Sequence, residues 1–144
     1  MSFDTNFVYD KLNTLRDYTA ELKQLLTDNT DQVLLTNTGQ RHIAERLVQL
    51  LVDGMIDINQ HFIRELNLEI SDDLRGTFII MGGNSILPKE FAEKISPITG
   101  VRNILVHQYE KLDKDMFVTK LRKNFSDFEE YQRHIVEYLK SKGL

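Results

Sequence analysis

Apolar side chains recur along most of the chain at intervals of three and four residues, the spacing that places them on one face of an α-helix. This interval predicts a first helix from about Asp4 to Thr27. A second, longer helix is predicted to begin between Asp31 and Gly39 and to reach about Leu66. Glycine and proline rarely interrupt the pattern, since the chain has only seven and two of them. The sequence therefore predicts an all-α protein.

Residues that end or begin helices divide the third quarter of the chain. The segment 71–73, Ser-Asp-Asp, can cap a short helix that runs through Met81. Gly82-Gly83 is predicted to close that helix as a C-terminal cap, because it lacks the spacing of a phosphate-binding loop. Pro88 suits the first turn of the next helix.

The dipeptide Ser96-Pro97 interrupts the pattern again, with serine as a candidate N-cap and proline at the first helical position. We expect a helical segment of about thirteen residues, from Pro97 to about Tyr109. Asp113 can cap a last helix. The sequence thus predicts a compact bundle of four or five helices. The apolar stripe of the last helix comprises Phe117, Leu121, Phe125, Phe128, Ile135 and Leu139.

Length and composition are those of an ordinary folded protein. The 144 residues are 41% hydrophobic and 28% charged, which predicts one domain, residues 1–144, with a core that needs no metal or disulfide. The absence of cysteine excludes disulfides, a thiol nucleophile and a cysteine-based zinc site. We expect a cytoplasmic protein that does not insert in a membrane, because the N-terminal sequence lacks a signal-peptide pattern and the most apolar run carries Asp53 and Asp57.

The net charge of −4 counts against a broad nucleic-acid binder, which usually has a basic surface. Any contact with RNA or DNA has to be local, made by a few cations around one cleft.

The histidines give little support for a metal site. None of the four forms an HxxxH pair. Asp57 and Glu65 each lie four residues from His61 on one helix, but a stable site needs more ligands than such a pair supplies. We predict no metal and no cofactor.

A polar stripe runs along the second helix, opposite its apolar face. We favour a solvated surface over the lining of a cleft or a dimer seam for this stripe. Its members are Arg46, Gln49, Asp53, Asp57 and His61.

The stretch "VRNILVHQYEKLD", Val101 to Asp113, places reactive side chains inside an apolar helical pattern. An arginine followed five residues later by a histidine occurs by chance in about one in five chains of this composition. The additional tyrosine two residues further lowers that chance below about one in a hundred. The combination of Arg102, His107 and Tyr109 is therefore a motif.

On a regular helix, residues five apart differ by about 140° around the axis. Arg102 and His107 then point in different directions, whereas Asn103 and His107 share a face and Arg102 and Tyr109 nearly coincide. Arg102 and His107 can meet at one phosphate under three conditions: the helix loosens near His107, the long arginine reaches around, or a second copy of the chain completes the site.

These residue types suit RNA cleavage without a metal. A histidine titrates near neutrality and can move a proton between a ribose 2′-hydroxyl and a leaving 5′-oxygen. An arginine offers a planar, permanently cationic fork for phosphate oxygens. The phenol of Tyr109 can stack, bind a phosphate or be modified.

The motif resembles that of a known family. "RNILVHQY" is similar to the Rx4-6H signature of the HEPN superfamily, in the Rx4HxY form of the HepT-like toxins. The surrounding run "ILPKEFAEKISPITGVRNILVHQYEKLD", from Ile86 to Asp113, and the preceding helix "RHIAERLVQLLVDGMIDINQHFI" also resemble the family. The likeness covers about two-thirds of the chain, and the motif shows no departure.

The resemblance implies a small, homodimeric, all-α HEPN-type bundle that acts as an endoribonuclease toxin of a toxin–antitoxin pair. It implies that Arg102 and His107 are catalytic and face their copies across a dimer cleft, with Asn103 in an orienting role. It also implies a cognate antitoxin, a minimal MntA-like nucleotidyltransferase that transfers AMP from ATP to Tyr109 and so neutralises the toxin. The acidic chain favours a small structured RNA such as tRNA as the substrate.

Two alternatives remain open from the sequence. The chain can be a non-catalytic, nucleotide- or substrate-binding subunit of a nucleotidyltransferase complex, in which Arg102 and His107 only bind phosphate. Alternatively, Arg102 and His107 can be partners of an ion pair or hydrogen bond within the helical core.

Overall fold

The structure, a computed structural model, describes residues 3–144 and contains within that range eight α-helices and one 3-10 helix. Residues 1 and 2, which open the predicted domain, lie outside it. The helices are α1 (Thr5–Asp28), α2 (Asp31–Thr36), α3 (Thr38–Glu65), α4 (Leu74–Gly83), α5 (Lys89–Ile95), α6 (Ile98–His107), α7 (Lys114–Asn124) and α8 (Ser126–Ser141), with the 3-10 helix at Tyr109–Lys111.

The two long helices begin where side chains can cap them. The Asp4 carboxylate accepts a hydrogen bond from the Phe7 amide at the start of α1, and the Asn37 side chain accepts one from Gln40 at the start of α3. Both caps satisfy backbone amides that have no partner within the helix. The predicted first and second helices are confirmed, and α2 is an additional short helix between them.

Helix α3 lies in the middle of the bundle, where it packs against α1, α2, α4 and α6. The hydrophobic core is one continuous cluster that reaches from Val8 in α1 to Leu139 in α8. A buried polar chain crosses this core: the Tyr131 hydroxyl donates to Asn59 Oδ1 at 2.6 Å, and the Asn59 amide donates to Thr77 Oγ1 at 3.2 Å. Burial raises the pKa of Tyr131 well above its ordinary value, so this phenol stays a hydrogen-bond donor. The all-α prediction is confirmed.

The predicted last helix is divided in two. Asp113 caps α7 as expected, by accepting a hydrogen bond from the Met116 amide at 3.0 Å. At Phe125 the backbone hydrogen bonding changes to the tighter 3-10 pattern, since the Phe128 amide donates to the Phe125 carbonyl three residues earlier. The chain therefore leaves one helical axis and starts another. Such interruptions give eight helices, where the sequence predicted four or five.

The diglycine does not cap α4, as the sequence had predicted. Gly82 and Gly83 both belong to the helix, and neither has a positive φ. A Cβ atom on Gly82 would lie 2.6 Å from the Cβ of Ala92 in α5. Gly82 is therefore required by the close approach of α4 and α5.

The start of α6 also differs from the expectation. Pro88 and Pro97 are the N-caps of α5 and α6, one position before the first helical residue, and neither helix has a side-chain cap. Ser96 does not cap α6, because its hydroxyl donates to the Glu93 carbonyl at 3.1 Å. Helix α6 ends at His107, two residues before the predicted end, and Gln108 leaves helical geometry with φ −141°.

Within residues 3–144, no helix combines the length and the apolar character that crossing a membrane requires.

The packing at Gly82 can be tested by comparing alanine substitutions at Gly82 and at the adjacent Gly83. Gly82→Ala should lower the free energy of unfolding by about 1–3 kcal/mol, because the new methyl group overlaps α5. Gly83→Ala is the matched control: a Cβ there meets nothing within 4 Å, so stability should stay the same or rise by up to about 1 kcal/mol. Urea unfolding of the two variants measures the difference, and equal midpoints would contradict the close approach.

Candidate functional site

Arg102 is anchored to the central helix. Its Nε donates to Oδ1 of Asp53 in α3 at 2.7 Å, and the two side chains are about one-fifth and one-third exposed. A partly exposed pair contributes little to stability, so its main effect is to fix the direction of the guanidinium. Nη2 of Arg102 makes no hydrogen bond within residues 3–144, which leaves a donor available to a ligand.

Asn103 lies next to Arg102 and contacts it directly. Its side-chain oxygen accepts a hydrogen bond from Arg102 Nη1 at 3.3 Å. The predicted face-sharing with His107 produces no hydrogen bond between these two described side chains. The contact with Arg102 is what an orienting residue would make.

His107 is the last residue of α6, and its ring is exposed to solvent. Arg102 is bound to Asp53, so the interpretation that Arg102 and His107 pair with each other does not describe this structure.

Tyr109 lies on the 3-10 helix just beyond α6, with 38% of its surface exposed. Its hydroxyl turns back to α3 and donates to Oε1 of Glu45 at 2.6 Å. The hydrogen bond to Glu45, together with partial burial and the charge of Glu45, raises the pKa of the Tyr109 phenol, and Arg41 opposes this shift. The ring of His42 lies nearly perpendicular to that of Tyr109, with 6.2 Å between the ring centroids.

Glu45 is itself buried, at 6% exposure. Its Oε2 lies 3.4 Å from Nε of Arg41, one turn earlier on α3. Arg41 is equally buried and donates from Nη1 to the carbonyls of Leu34 and Leu35, at 3.3 and 2.8 Å. These contacts compensate two buried charges and hold the carboxylate of Glu45 against Tyr109.

Arg102 and Tyr109 are both hydrogen-bonded to side chains of α3, Asp53 and Glu45 respectively, whereas no hydrogen bond or ion pair within residues 3–144 joins Arg102 to His107. Helix α6 stays regular through His107, so the backbone does not loosen between the two residues. Arg102 would have to leave Asp53 to reach around the helix. Neither a loosened helix nor an arginine that reaches around it is therefore present in the structure. Of the three conditions for a shared phosphate site, completion by a second copy of the chain remains.

The polar stripe of α3 is mostly not a solvated surface, in contrast to the prediction. Asp53 holds Arg102, and Asp57 forms an ion pair with Lys11 of α1 at 2.9 Å. His61 is buried, stacks on Phe7 with 4.4 Å between centroids, and lies 2.9 Å from the Asp4 carbonyl oxygen. These contacts arise because α1 and α6 cover this side of α3. Arg46 is exposed and Gln49 is half-buried.

No group of three or more histidine, aspartate or glutamate side chains within residues 3–144 is arranged to hold a metal ion.

An apolar groove of about 590 Å³ lies on another face of α6, between α6, α7 and α8. Its walls include Val101, Ile104 and Phe117, and Lys111 is on its rim. Arg102, His107 and Tyr109 do not line it. The reactive side chains therefore lie on the surface near α3 and the end of α6, outside the groove.

Sequence analysis missed Glu45 and Arg41. Their spacing did contain a signal, since residues 41, 45, 48 and 52 follow one face of a helix and the last two are buried valines. A charged i,i+4 pair on that face predicts buried, paired charges. The partner of Glu45 could not be predicted, because Tyr109 is 64 residues away.

The arrangement offers three chemical functions side by side: an oriented guanidinium, an exposed imidazole and an accessible phenol beside a carboxylate. The first two can bind a phosphodiester and move a proton. The third can act as a nucleophile once it loses its proton.

Comparison with known proteins identifies the family of this chain. A family profile described as "Ribonuclease HepT-like" matches residues 15–135. A curated relative from Aphanizomenon flos-aquae, named "tRNA nuclease HepT", is 33% identical over 90% of this chain and 87% of its own length. Another from Shewanella oneidensis, named "mRNA nuclease HepT", is 25% identical over 88% of this chain and 93% of its own.

A solved structure shows the same fold. The tri-AMPylated HEPN toxin of Shewanella oneidensis, solved in complex with an MNT antitoxin, superimposes with a TM-score of 0.82 over 91% of this chain and 97% of that one, at 22% identity. The predicted resemblance and the predicted ribonuclease class are confirmed by these matches. The chain belongs to the HepT-like ribonuclease family.

Proposed function

We propose that the protein is a metal-independent endoribonuclease toxin that cleaves RNA with Arg102 and His107 in a homodimer cleft. The observation that carries this proposal is the separation of the two side chains: Arg102 is held against α3 by Asp53, while His107 is exposed at the end of α6. An Arg102 of one copy and a His107 of the other then form the productive pair. Val106, next to His107, is an exposed apolar side chain that such a dimer would cover.

The reaction follows from the residue types. His107 takes the proton of a ribose 2′-hydroxyl, whose oxygen attacks the adjacent phosphorus as the bond to the 5′-oxygen breaks. The proton is then delivered to the leaving 5′-oxygen, and a cyclic phosphate remains on the upstream fragment. Arg102 stabilises the additional negative charge on the phosphate oxygens, and Asn103 and Asp53 hold its guanidinium in place.

The substrate we favour is tRNA. The 33% identical relative is named a tRNA nuclease and the 25% identical one an mRNA nuclease. A net charge of −4 suits a compact RNA gripped at a few phosphates better than an extended one, since extended binding needs many cations. Two copies of Arg102 in one cleft would provide a local positive field.

Neutralisation is assigned to Tyr109. A cognate nucleotidyltransferase antitoxin would transfer AMP from ATP to its hydroxyl, which is accessible because the ring is 38% exposed. The added phosphate would place bulk and negative charge two residues from His107, and so repel RNA. The tri-AMPylated toxin of Shewanella oneidensis in its antitoxin complex supports AMP transfer as the means of neutralisation.

Alanine substitution tests the catalytic pair. Arg102→Ala and His107→Ala should each lower RNA cleavage in EDTA by at least about a hundredfold, the usual contribution of a positioned acid–base or phosphate-binding group. Arg133→Ala is a suitable control, since this exposed arginine on α8 forms an ion pair within residues 3–144 with Glu137 alone. Thermal unfolding checks that the variants stay folded. Wild-type cleavage by either site variant in EDTA would contradict the assignment.

Intact-mass measurement tests neutralisation by AMP transfer to Tyr109. The chain purified together with its cognate nucleotidyltransferase should carry one or more AMP units that map to Tyr109, and Tyr109→Phe should carry none. Tyr18→Phe serves as the control, because Tyr18 is a half-buried tyrosine of α1 outside this site. AMP on Tyr109→Phe, or none on the wild-type chain, would contradict neutralisation through Tyr109.

A further inference from the structure

For the Tyr109 hydroxyl to attack a phosphorus atom, a nearby group has to accept its proton. The structure offers one acceptor in direct contact, since that hydroxyl donates to Oε1 of Glu45 at 2.6 Å. The two groups are exposed very differently: the Tyr109 ring is 38% exposed, whereas Glu45 is 6% exposed. A reactant can thus approach the phenol from solvent while the carboxylate stays behind it.

We propose that Glu45 is the proton acceptor when Tyr109 takes up a nucleotide from ATP bound to a partner nucleotidyltransferase. This inference rests on the proposed function, because it deepens the assignment of Tyr109 as the modified residue. Glu45 is a catalytic residue of the modification step and takes no part in RNA cleavage.

The step balances within the named groups. The Tyr109 O–H bond breaks and its proton passes to Glu45 Oε1 as the phenolic oxygen forms a bond to the α-phosphorus of ATP. The bond between the α-phosphorus and the bridging oxygen of the β-phosphate breaks, and pyrophosphate leaves with that electron pair. The products are an AMP ester of Tyr109, a protonated Glu45 and pyrophosphate, and Glu45 afterwards loses its proton to solvent.

The surroundings of Glu45 suit this role. Arg41 lies 3.4 Å from its other oxygen, Oε2, and is fixed by two backbone carbonyls. This partner lies at Oε2 and leaves Oε1 directed at the phenol. A preoriented acceptor of this kind needs no reorganisation when the proton moves.

The contacts also explain why an acceptor is required. The carboxylate beside it favours the neutral phenol over the phenolate, so Tyr109 does not supply its own nucleophile at neutral pH. The charged or titratable groups recorded around the phenol are Glu45, Arg41 and His42. Of the three, Glu45 is the group that accepts the hydrogen bond of the hydroxyl, and the guanidinium of Arg41 can only donate one.

The experiment measures the initial rate of AMP transfer to the wild-type chain and to Glu45→Gln, with ATP and the cognate nucleotidyltransferase, from pH 6 to pH 9. The wild-type rate should vary little over this range, because the proton passes to a hydrogen-bonded acceptor within the protein and not to hydroxide in solution. Glu45→Gln should be slower by about a hundredfold at pH 7. Its rate should rise about tenfold per pH unit, because the reaction then depends on the small phenolate fraction.

A spectroscopic readout separates this role from a structural one. Tyrosinate absorbance, with the signal of Tyr109→Phe subtracted, should show a lower pKa for Tyr109 in Glu45→Gln than in the wild-type chain. A variant with a more easily ionised phenol that nevertheless reacts more slowly is the signature of a lost acceptor.

Glu45→Gln leaves Arg41 buried without its partner, which can prevent folding. The double variant Arg41→Gln/Glu45→Gln carries neither charge and gives the same test with a neutral pair. Circular dichroism identifies which of the two is folded and is used for the rates.

The outcomes distinguish the role of Glu45 as proton acceptor from the assignment of Tyr109 as the modified residue. A folded Glu45 variant that takes up AMP at the wild-type rate, with the wild-type pH profile, overturns the role of Glu45 and leaves Tyr109 as the modified residue. A wild-type chain that takes up no AMP overturns both. A slow, steeply pH-dependent variant beside a fast wild-type chain supports both.

Discussion

The packing of α3 through the centre of the bundle is the constraint on which the rest of the structure depends. Helices from both halves of the chain lie against it, and most of its apolar side chains are buried. On the sides of such a helix that its neighbours cover, charged side chains need a partner. Asp53 and Glu45 are at two such points, where they meet Arg102 and Tyr109. The core and the functional site are therefore built on the same helix.

This arrangement explains how an acidic chain can act on RNA. The overall charge is −4, and the cation that matters most is held by a carboxylate. Nε of Arg102 is hydrogen-bonded to Asp53, but the pair is partly exposed, so solvent screens it and the proposed role of the outer guanidinium nitrogens in binding phosphate is compatible with it. The local field, and not the net charge, decides whether a phosphodiester binds. A dimer would bring two such guanidinium groups into one cleft.

The sequence predicted the helical class, the two long helices and the motif, because each leaves a local signal in spacing or in caps. It did not predict the break at Phe125 or the role of Gly82. The first depends on a tightened turn and the second on how closely α4 approaches α5. It also assigned Asp53, Asp57 and His61 to a solvated stripe, since periodicity cannot reveal that α1 and α6 cover that side. Glu45 was missed because its partner Tyr109 is distant in sequence. Contacts between distant segments are set by tertiary packing, which single-sequence patterns do not contain.

The central claim is that Arg102 of one copy works with His107 of the other. Co-expression of Arg102→Ala with His107→Ala chains tests it directly, because a mixed dimer retains one intact pair across the interface and no intact pair within either chain. The account predicts that the co-expressed mixture recovers about a quarter of wild-type RNA cleavage, since half of randomly formed dimers are mixed and each has one of two pairs. A mixture as inactive as either variant alone, with mixed dimers present, would contradict it.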